Sequence, residues 1–244
     1  MKKIAIIEAR MSSTRLPGKV LRQIMGRPML GLLIERLQGA RQVDGIVVAT
    51  TVNPADDPIE ALTRKLGVGC FRGSEEDVLG RVLQAAHAFA ADVVIEITGD
   101  CPLIESTKVD AMLSAFMDMS VDFMVNRLDG SYPDGLGLRI FKKELLQEID
   151  HLTNDPVDRE HVTIYVWEHP ELYSIHHFNN HLNPKYWDIR LTVDNPEDFD
   201  LISKIFEELY PANRNFGLPE IIDLLERKPE MFDINRHITN KPVR

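Results

Sequence analysis

Ile4-Ala5-Ile6-Ile7-Glu8-Ala9-Arg10-Met11-Ser12-Ser13-Thr14-Arg15-Leu16-Pro17-Gly18-Lys19 is the stretch on which the reading of this chain turns. Residues 4–7 read as a buried first β-strand. Residues 10–19 then combine the fixed positive charges of Arg10, Arg15 and Lys19 with hydroxyl side chains and a Pro-Gly turn. Such a loop suits a polyanion. Backbone N–H groups in a tight loop cradle phosphate oxygens, Arg forks grip them bidentately, and Lys adds a point charge. A nucleoside triphosphate is the polyanion this position favours, and a solvated basic turn is the plain alternative.

Working outward, strands are predicted over 45–50, 68–71, 93–97 and 121–125, with helices over 29–37, 59–66, 76–89 and 108–117. Continuous apolar strands separated by helices indicate an α/β protein whose mostly parallel central sheet is covered on both faces. Ligands bind such sheets beyond the carboxyl ends of the strands. The basic loop and Thr98-Gly99-Asp100 both fall at that edge. The second half is less regular, with strands predicted over 138–141, 173–178 and 189–193 and helices over 159–168, 197–209 and 218–226. The tail from residue 227 is expected to pack loosely. The whole reads as a single domain over 1–244, with an inserted, partly antiparallel segment near 130–188 that builds an acceptor pocket or a dimer contact.

The 244 residues are 44% hydrophobic and 27% charged, as in ordinary globular proteins. A net charge of −10 argues against general nucleic-acid binding, whose footprint is basic. The positive loop therefore points to a local anionic ligand. Cys70 and Cys101 are too few for a disulfide framework and lack metal-site spacing; they are expected to act as small hydrophobes. The apolar run after Met1-Lys2-Lys3 breaks at Glu8, short of a secretory core. No stretch approaches a membrane span, so no membrane insertion and a cytoplasmic location are expected.

Asp100 ends the predicted strand 93–97 in Glu96-Ile97-Thr98-Gly99-Asp100-Cys101-Pro102-Leu103-Ile104. A carboxylate there is either a Mg²⁺ ligand beside phosphates or a cap on the following turn. Asp194 stands at the same kind of junction in Leu191-Thr192-Val193-Asp194-Asn195-Pro196-Glu197-Asp198. It either caps the next helix or, with Asn195 capping, completes the Mg²⁺ site with Asp100.

These pieces together resemble the cytidylyltransferases that activate acidic sugars with CTP. The loop Arg10-x-x-Ser13-x-Arg15-Leu16-Pro17-Gly18-Lys19 and Gly26-Arg27-Pro28-Met29-Leu30 are similar to the start of CMP-Kdo and CMP-acylneuraminate synthetases. Phe71-Arg72-Gly73-Ser74-Glu75-Glu76-Asp77-Val78-Leu79-Gly80-Arg81, Tyr132-Pro133-Asp134-Gly135-Leu136 and Asp158-Arg159-Glu160-His161-Val162-Thr163 resemble the SpsF-like spore-coat polysaccharide branch. The similarity covers about residues 3–205. It implies a three-layer nucleotide-diphospho-sugar transferase-like fold and transfer of CMP from CTP to the hydroxyl of a nonulosonate or Kdo-like acidic sugar. It further implies Mg²⁺ dependence, pyrophosphate release and a place in surface polysaccharide biosynthesis. By the same resemblance Arg10, Ser13, Arg15 and Lys19 hold the triphosphate, with Lys19, Arg15 and Asp100 catalytic. Asp100 and Asp194 hold the metal, and Arg72 and Ser74, helped by Thr51 and Asn53, lie by the base. Asp134, Arg139, Glu160 and His161 are the candidates to face the acceptor, with His161 alternatively a helix-face histidine packed at a dimer interface, and a homodimer forms through 130–188. A sedimentation mass near the chain mass of 27.8 kDa would count against that dimer.

The chain departs from the branch at Gly137-Leu138-Arg139, where an acidic position carries Arg139; it suits an anionic acceptor or faces solvent. At Thr98, where CMP-Kdo synthetases commonly carry Gln, an acceptor contact is missing. His176 and His177 point to opposite faces of a strand, so with His181, Asn179 and Asn180 they do not read as one metal site. Other readings remain: another NTP or a sugar 1-phosphate as substrate, or a catalytically silent nucleotide-binding protein. A GT-A-like glycosyltransferase would carry an Asp-x-Asp motif, which Asp100-Cys101-Pro102 lacks.

Overall fold

Seven strands form the central sheet of the computed structural model, which describes residues 1–127, 130–178 and 181–239. They are β1 (Lys3–Glu8), β4 (Gly45–Thr51), β5 (Gly69–Gly73), β6 (Val93–Thr98), β7 (Phe123–Val125), β8 (Arg139–Lys142) and β9 (Ile175–His177), in the order β5-β4-β1-β6-β8-β7-β9. β1 runs parallel to both β4 and β6, and the register sets Glu8 beside Ala49 and Thr98. β8 is antiparallel to its neighbours, so its first residue, Arg139, lies opposite Glu96 at that carboxyl edge.

The alternation of side chains along β1 and β6 divides the core. Ala5, Ile7, Val93 and Ile95 pack against α1 (Met29–Leu37) and α4 (Ser106–Asp118). Ile4, Ile6 and Val94 pack on the other face against α3 (Val78–Ala88), α5 (Lys143–Leu152) and α7 (Ile164–Glu168). The expected three layers are present. α2 (Asp57–Leu66) follows β4, and α6 (Pro156–Glu160) precedes α7. A third apolar cluster lies under the basic loop, where Leu16 and Val193 meet α8 (Pro196–Leu209) and α9 (Leu218–Arg227).

Several local expectations are corrected. Residues 189–193 form no strand: Arg190 makes one isolated bridge to Asp134, while the Leu191 and Val193 N–H groups donate to the Asp134 and Asp100 carbonyls. The segment is thus tied to two separate loops rather than to one ladder. The helix predicted over 159–168 breaks into α6 and α7, because Val162 takes φ +52° and turns its own side chain and that of Thr163 inward. Two elements arise that periodicity did not reveal: α5, and the hairpin of β2 (Gln23–Ile24) with β3 (Arg27–Pro28), closed by Met25-Gly26 at positive φ, the conformation two-residue hairpins require. The tail is packed rather than loose through the described residues: Asn235 is buried and donates to the Arg190 carbonyl and to Asp198. Asn179, Asn180 and residues 240–244 lie outside the described residues.

Candidate active site

The basic loop is pinned at both ends. Beyond β1, the Met11 N–H donates to Asp56 Oδ1 at 2.8 Å. The other Asp56 oxygen accepts from Thr50 Oγ1, the Thr51 N–H and Thr51 Oγ1 at the end of β4. The far end closes through Gly18 N–H to the Met11 carbonyl (2.9 Å) and Lys19 N–H to the Leu16 carbonyl (3.1 Å). Gly18 takes φ +69° there, a conformation glycine adopts without steric cost. Leu16, only 1% exposed, plugs the loop into the third core cluster. Asp56→Ala would leave this set of donors without its acceptor. We expect a stability loss of about 1.5–3 kcal/mol in urea unfolding, the value of a hydrogen bond to a charged group.

Lys19 leaves the loop through a short 3₁₀ turn, Lys19–Leu21, and its side chain is nearly buried. Its Nζ donates to Asp100 Oδ2 at 2.8 Å, Asp194 Oδ1 at 2.9 Å and the Val193 carbonyl at 2.8 Å. Burial would depress the ammonium pKa, but the two carboxylates outweigh it and hold it above the ordinary lysine value. Burial likewise opposes ionisation of Asp100, and Lys19 overcomes it, so the Asp100 pKa lies below the ordinary value. Both groups are charged at neutral pH. Asp100 reaches this place because Gly99 lets β6 end against β1: the Gly99 N–H donates to the Glu8 carbonyl at 2.8 Å, and a Cβ there would lie 2.7 Å from that oxygen.

Asp194 is oriented from three sides. Arg15 meets its Oδ1 at 2.9 Å, beside Lys19, and Arg190 meets its Oδ2 at 3.0 Å. Arg190 is buried and also holds Asp198 at 2.9 and 3.1 Å and Asp134 at 3.2 Å. Asp198, fully buried, accepts from the Asp194 and Asn195 N–H groups at 3.0 Å each. This lets Asp198 govern the start of α8 and leaves the Asp194 carboxylate facing the basic loop.

Arg10, Ser13, Arg15, Lys19, Asp100 and Asp194 line one cavity of about 330 Å³, joined by Glu160 and His161. Arg10 lies 3.7 Å from Glu160. The α6 segment is held there because Arg159 forks onto Asp77, the N-cap of α3, at 2.8 and 2.7 Å. The two carboxylates and the Val193 carbonyl already converge on a single cationic atom. Hard oxygen donors so gathered suit Mg²⁺.

The structure does not bring the other expected residues into this cavity. Arg72 donates to the Thr51 and Asn53 carbonyls, each at 2.8 Å, and to Asp57 and Glu60. Ser74 accepts from the Asp77 N–H before α3. Thr51 is buried against Asp56, and Asn53 caps the turn Pro54–Asp56. Asp134 stands behind Arg190. Arg139, half-buried, does not enter this cavity; it pairs with the buried Glu96 at 3.1 Å and lies over Trp167. Sequence reading missed Asp56, Arg190 and Asp198. The spacing of Arg190, Asp194 and Asp198 was the available signal for the last two.

A family model described as cytidylyltransferase matches residues 4–218. The chain belongs to the cytidylyltransferase family. This cytidylyltransferase is similar over most of its length to the spore coat polysaccharide biosynthesis protein SpsF of Bacillus subtilis, with 33% identity over 92% of this chain and 94% of that protein. That similarity bears out the expected SpsF-like branch. An uncharacterized protein of Methanocaldococcus jannaschii is 34% identical over 100% of this chain and 98% of its own. Among solved structures, a cytidylyltransferase from Leptospira borgpetersenii superposes with a TM-score of 0.90 at 32% identity, covering 99% of this chain and all of that one. The CMP:2-keto-3-deoxy-manno-octonic acid synthetase complexed with CTP shares the fold, with a TM-score of 0.65 at 20% identity over 85% of this chain and 99% of that one. Among the described residues no helix is long and apolar enough to cross a membrane.

Proposed function

We propose that this cytidylyltransferase moves CMP from CTP to a hydroxyl of an acidic sugar, with release of pyrophosphate, on a route to a surface polysaccharide. The observation that carries the reading is the meeting of Lys19 and Arg15 with Asp100 and Asp194 at the carboxyl edge of the sheet. Similarity to SpsF, and to 3-deoxy-manno-octulosonate cytidylyltransferases over somewhat less than half of this chain, supports the substrate class.

In-line attack by a hydroxyl on the α-phosphorus forms one P–O bond and breaks the bond to the pyrophosphate leaving group. Such a step needs positioning and charge neutralisation rather than covalent catalysis. Arg10, Arg15 and Ser13 surround the space where the triphosphate sits, and Lys19 brings a fixed positive charge to the oxygens of the reacting phosphate. Asp100 and Asp194 would hold Mg²⁺, which when bound polarises a phosphate oxygen and the attacking hydroxyl. Arg190 and Asp198 keep Asp194 in register for that task.

The test incubates the protein and Mg²⁺ with each of the four NTPs and a broad panel of acidic sugars, and measures pyrophosphate. Release with CTP and an acidic sugar, abolished by EDTA, is the expected result. Pyrophosphate from a different NTP, or none from any pair, would overturn it.

A further inference from the structure

Glu8 and Glu96 project from β1 and β6 on the side of Ile4, Ile6 and Val94, the face that α3 and α7 cover. Two carboxyl groups thus stand side by side where apolar side chains are the rule. Glu96, 2% exposed, is satisfied as an anion. Arg139 of β8 donates to its Oε1 at 3.1 Å, and Thr163 Oγ1 donates to its Oε2 at 3.3 Å. Glu8 has no such support. Its Oε1 is buried and receives no N–H or O–H donor from the described residues, while its carboxyl group hydrogen-bonds that of Glu96.

Ionised carboxylates are acceptors only, so a hydrogen bond between two carboxyl groups needs a proton on one of them. The proton belongs on Glu8, the member without donors of its own. The surrounding charges agree. Among the described residues Arg139 is the cation in salt-bridge contact with the pair, and Glu96 already matches it. Arg81 of α3 turns its guanidinium to the Ser74 and Glu75 carbonyls. Exposed Glu160 and His161, at the end of α6, share the space in front of Glu8, and α7 presents the uncharged Trp167. A second buried anion would stand unpaired, at a high cost. Burial, and then the neighbouring Glu96, raise the Glu8 pKa well above the ordinary range; burial raises that of Glu96 too, against Arg139 and Thr163.

We infer that Glu8 is a buried carboxylic acid that donates its proton to Glu96, and that this shared proton latches the wall built from β6, β8 and α7. Glu96 is the joint of that wall, because it holds Arg139 from β8 and Thr163, the N-cap of α7. The Arg139 guanidinium in turn lies 5.4 Å from the centre of the Trp167 ring. Loss of the proton sets two buried anions against one guanidinium, and the latch loosens. The wall stands beside the candidate active site, so the device gives that site an upper pH limit.

The test uses the full chain with neither nucleotide nor sugar, so its outcome is separate from that of the pyrophosphate assay. Infrared spectra at neutral pH are compared for the wild type and Glu8→Gln, whose amide keeps an N–H to donate to Glu96. The wild type is expected to show a carboxylic-acid C=O band above the amide I region, and Glu8→Gln to lose it. Urea unfolding as a function of pH gives a second measure. Unfolded Glu8 ionises near pH ~4.3, whereas the folded pair keeps its proton to higher pH, so wild-type stability falls as pH rises between the two values. Relative to the wild type, the folding constant of Glu8→Gln should therefore rise by up to about tenfold per pH unit across that window. In a Trp187→Phe background, Trp167 fluorescence follows the wall, and its alkaline midpoint should move upward in Glu8→Gln. An unchanged acid band in Glu8→Gln, a pH-independent stability difference or an unmoved fluorescence midpoint would overturn the inference. Absence of the band from the wild type decides against it whether or not a variant folds.

Discussion

Asp100→Ala and Asp194→Ala are each expected to lower kcat by about 10²–10³-fold, the usual cost of removing one preorganised electrostatic contact, with much smaller changes in CTP affinity. These carboxylates flank the Lys19 ammonium at 2.8 and 2.9 Å. On the proposed reading Arg10, Arg15 and Ser13 still hold the triphosphate when either is removed, so binding and turnover should separate. Single-turnover kinetics alongside calorimetric CTP binding checks this, and near-normal turnover in either variant would remove that carboxylate from the catalytic set. Asp100→Asn adds a pH signature. Because the folded Asp100 pKa lies below its ordinary value, the charged form stabilises the fold above the unfolded value near 3.9 and that contribution disappears as pH falls through the folded value. The stability difference between wild type and Asp100→Asn should therefore be constant near neutrality and shrink on acidification. Lys19 behaves in the opposite sense. Its folded pKa is raised, so its contribution is present below about pH 10.4, the unfolded value, and is lost as pH rises through the folded one.

Arg190→Met should destabilise the chain by about 3–5 kcal/mol, the cost of stripping one partner from a buried charge network. Arg190 is 7% exposed and Asp198 is 0% exposed, so Met would leave that carboxylate, and the inner oxygen of Asp194, without its cation. Urea unfolding measures the loss. The double variant Arg190→Met/Asp198→Asn should recover part of it, because the uncompensated charge rather than the missing contact dominates. A loss within the range of a surface pair, about 0–1 kcal/mol, would show that solvent reaches the network.

The parallel core and the basic loop were legible because each rests on local chemistry. The runs at 4–7 and 45–50 are almost wholly apolar and that at 93–97 is interrupted by Glu96 alone, as a doubly covered strand demands, and the boundaries of β1, β4 and β6 fall within a residue or two of them. The charge and turn residues of 10–19 announce an anion site before any fold is known. Residues 189–193 were misread because an apolar β-branched run marks burial, while the ladder that makes it a strand depends on which backbone comes alongside. Here the neighbours are single loop carbonyls from Asp134 and Asp100. Arg72 shows the same limit. Its residue type and motif suit a nucleotide contact, yet the chain ends at β4 and α2 supply acceptors that engage its guanidinium.

Glu8 and Glu96 mark where local reading stops. In the chain Glu8 follows the apolar run 4–7, which reads as a strand terminus, and Glu96 is a lone polar residue inside the run 93–97. The parallel register of β1 with β6 puts them on one covered face, and the antiparallel entry of β8 delivers Arg139 to Glu96. Residue order alone is enough for the α/β class, the anion loop and the pair of strand-end carboxylates, since those depend on side-chain periodicity and on the chemistry of neighbours in the chain. That Lys19 meets Asp100 and Asp194, and that Arg139 meets Glu96, depends on contacts between residues 43 to 175 positions apart, and these exist only once the strands have paired.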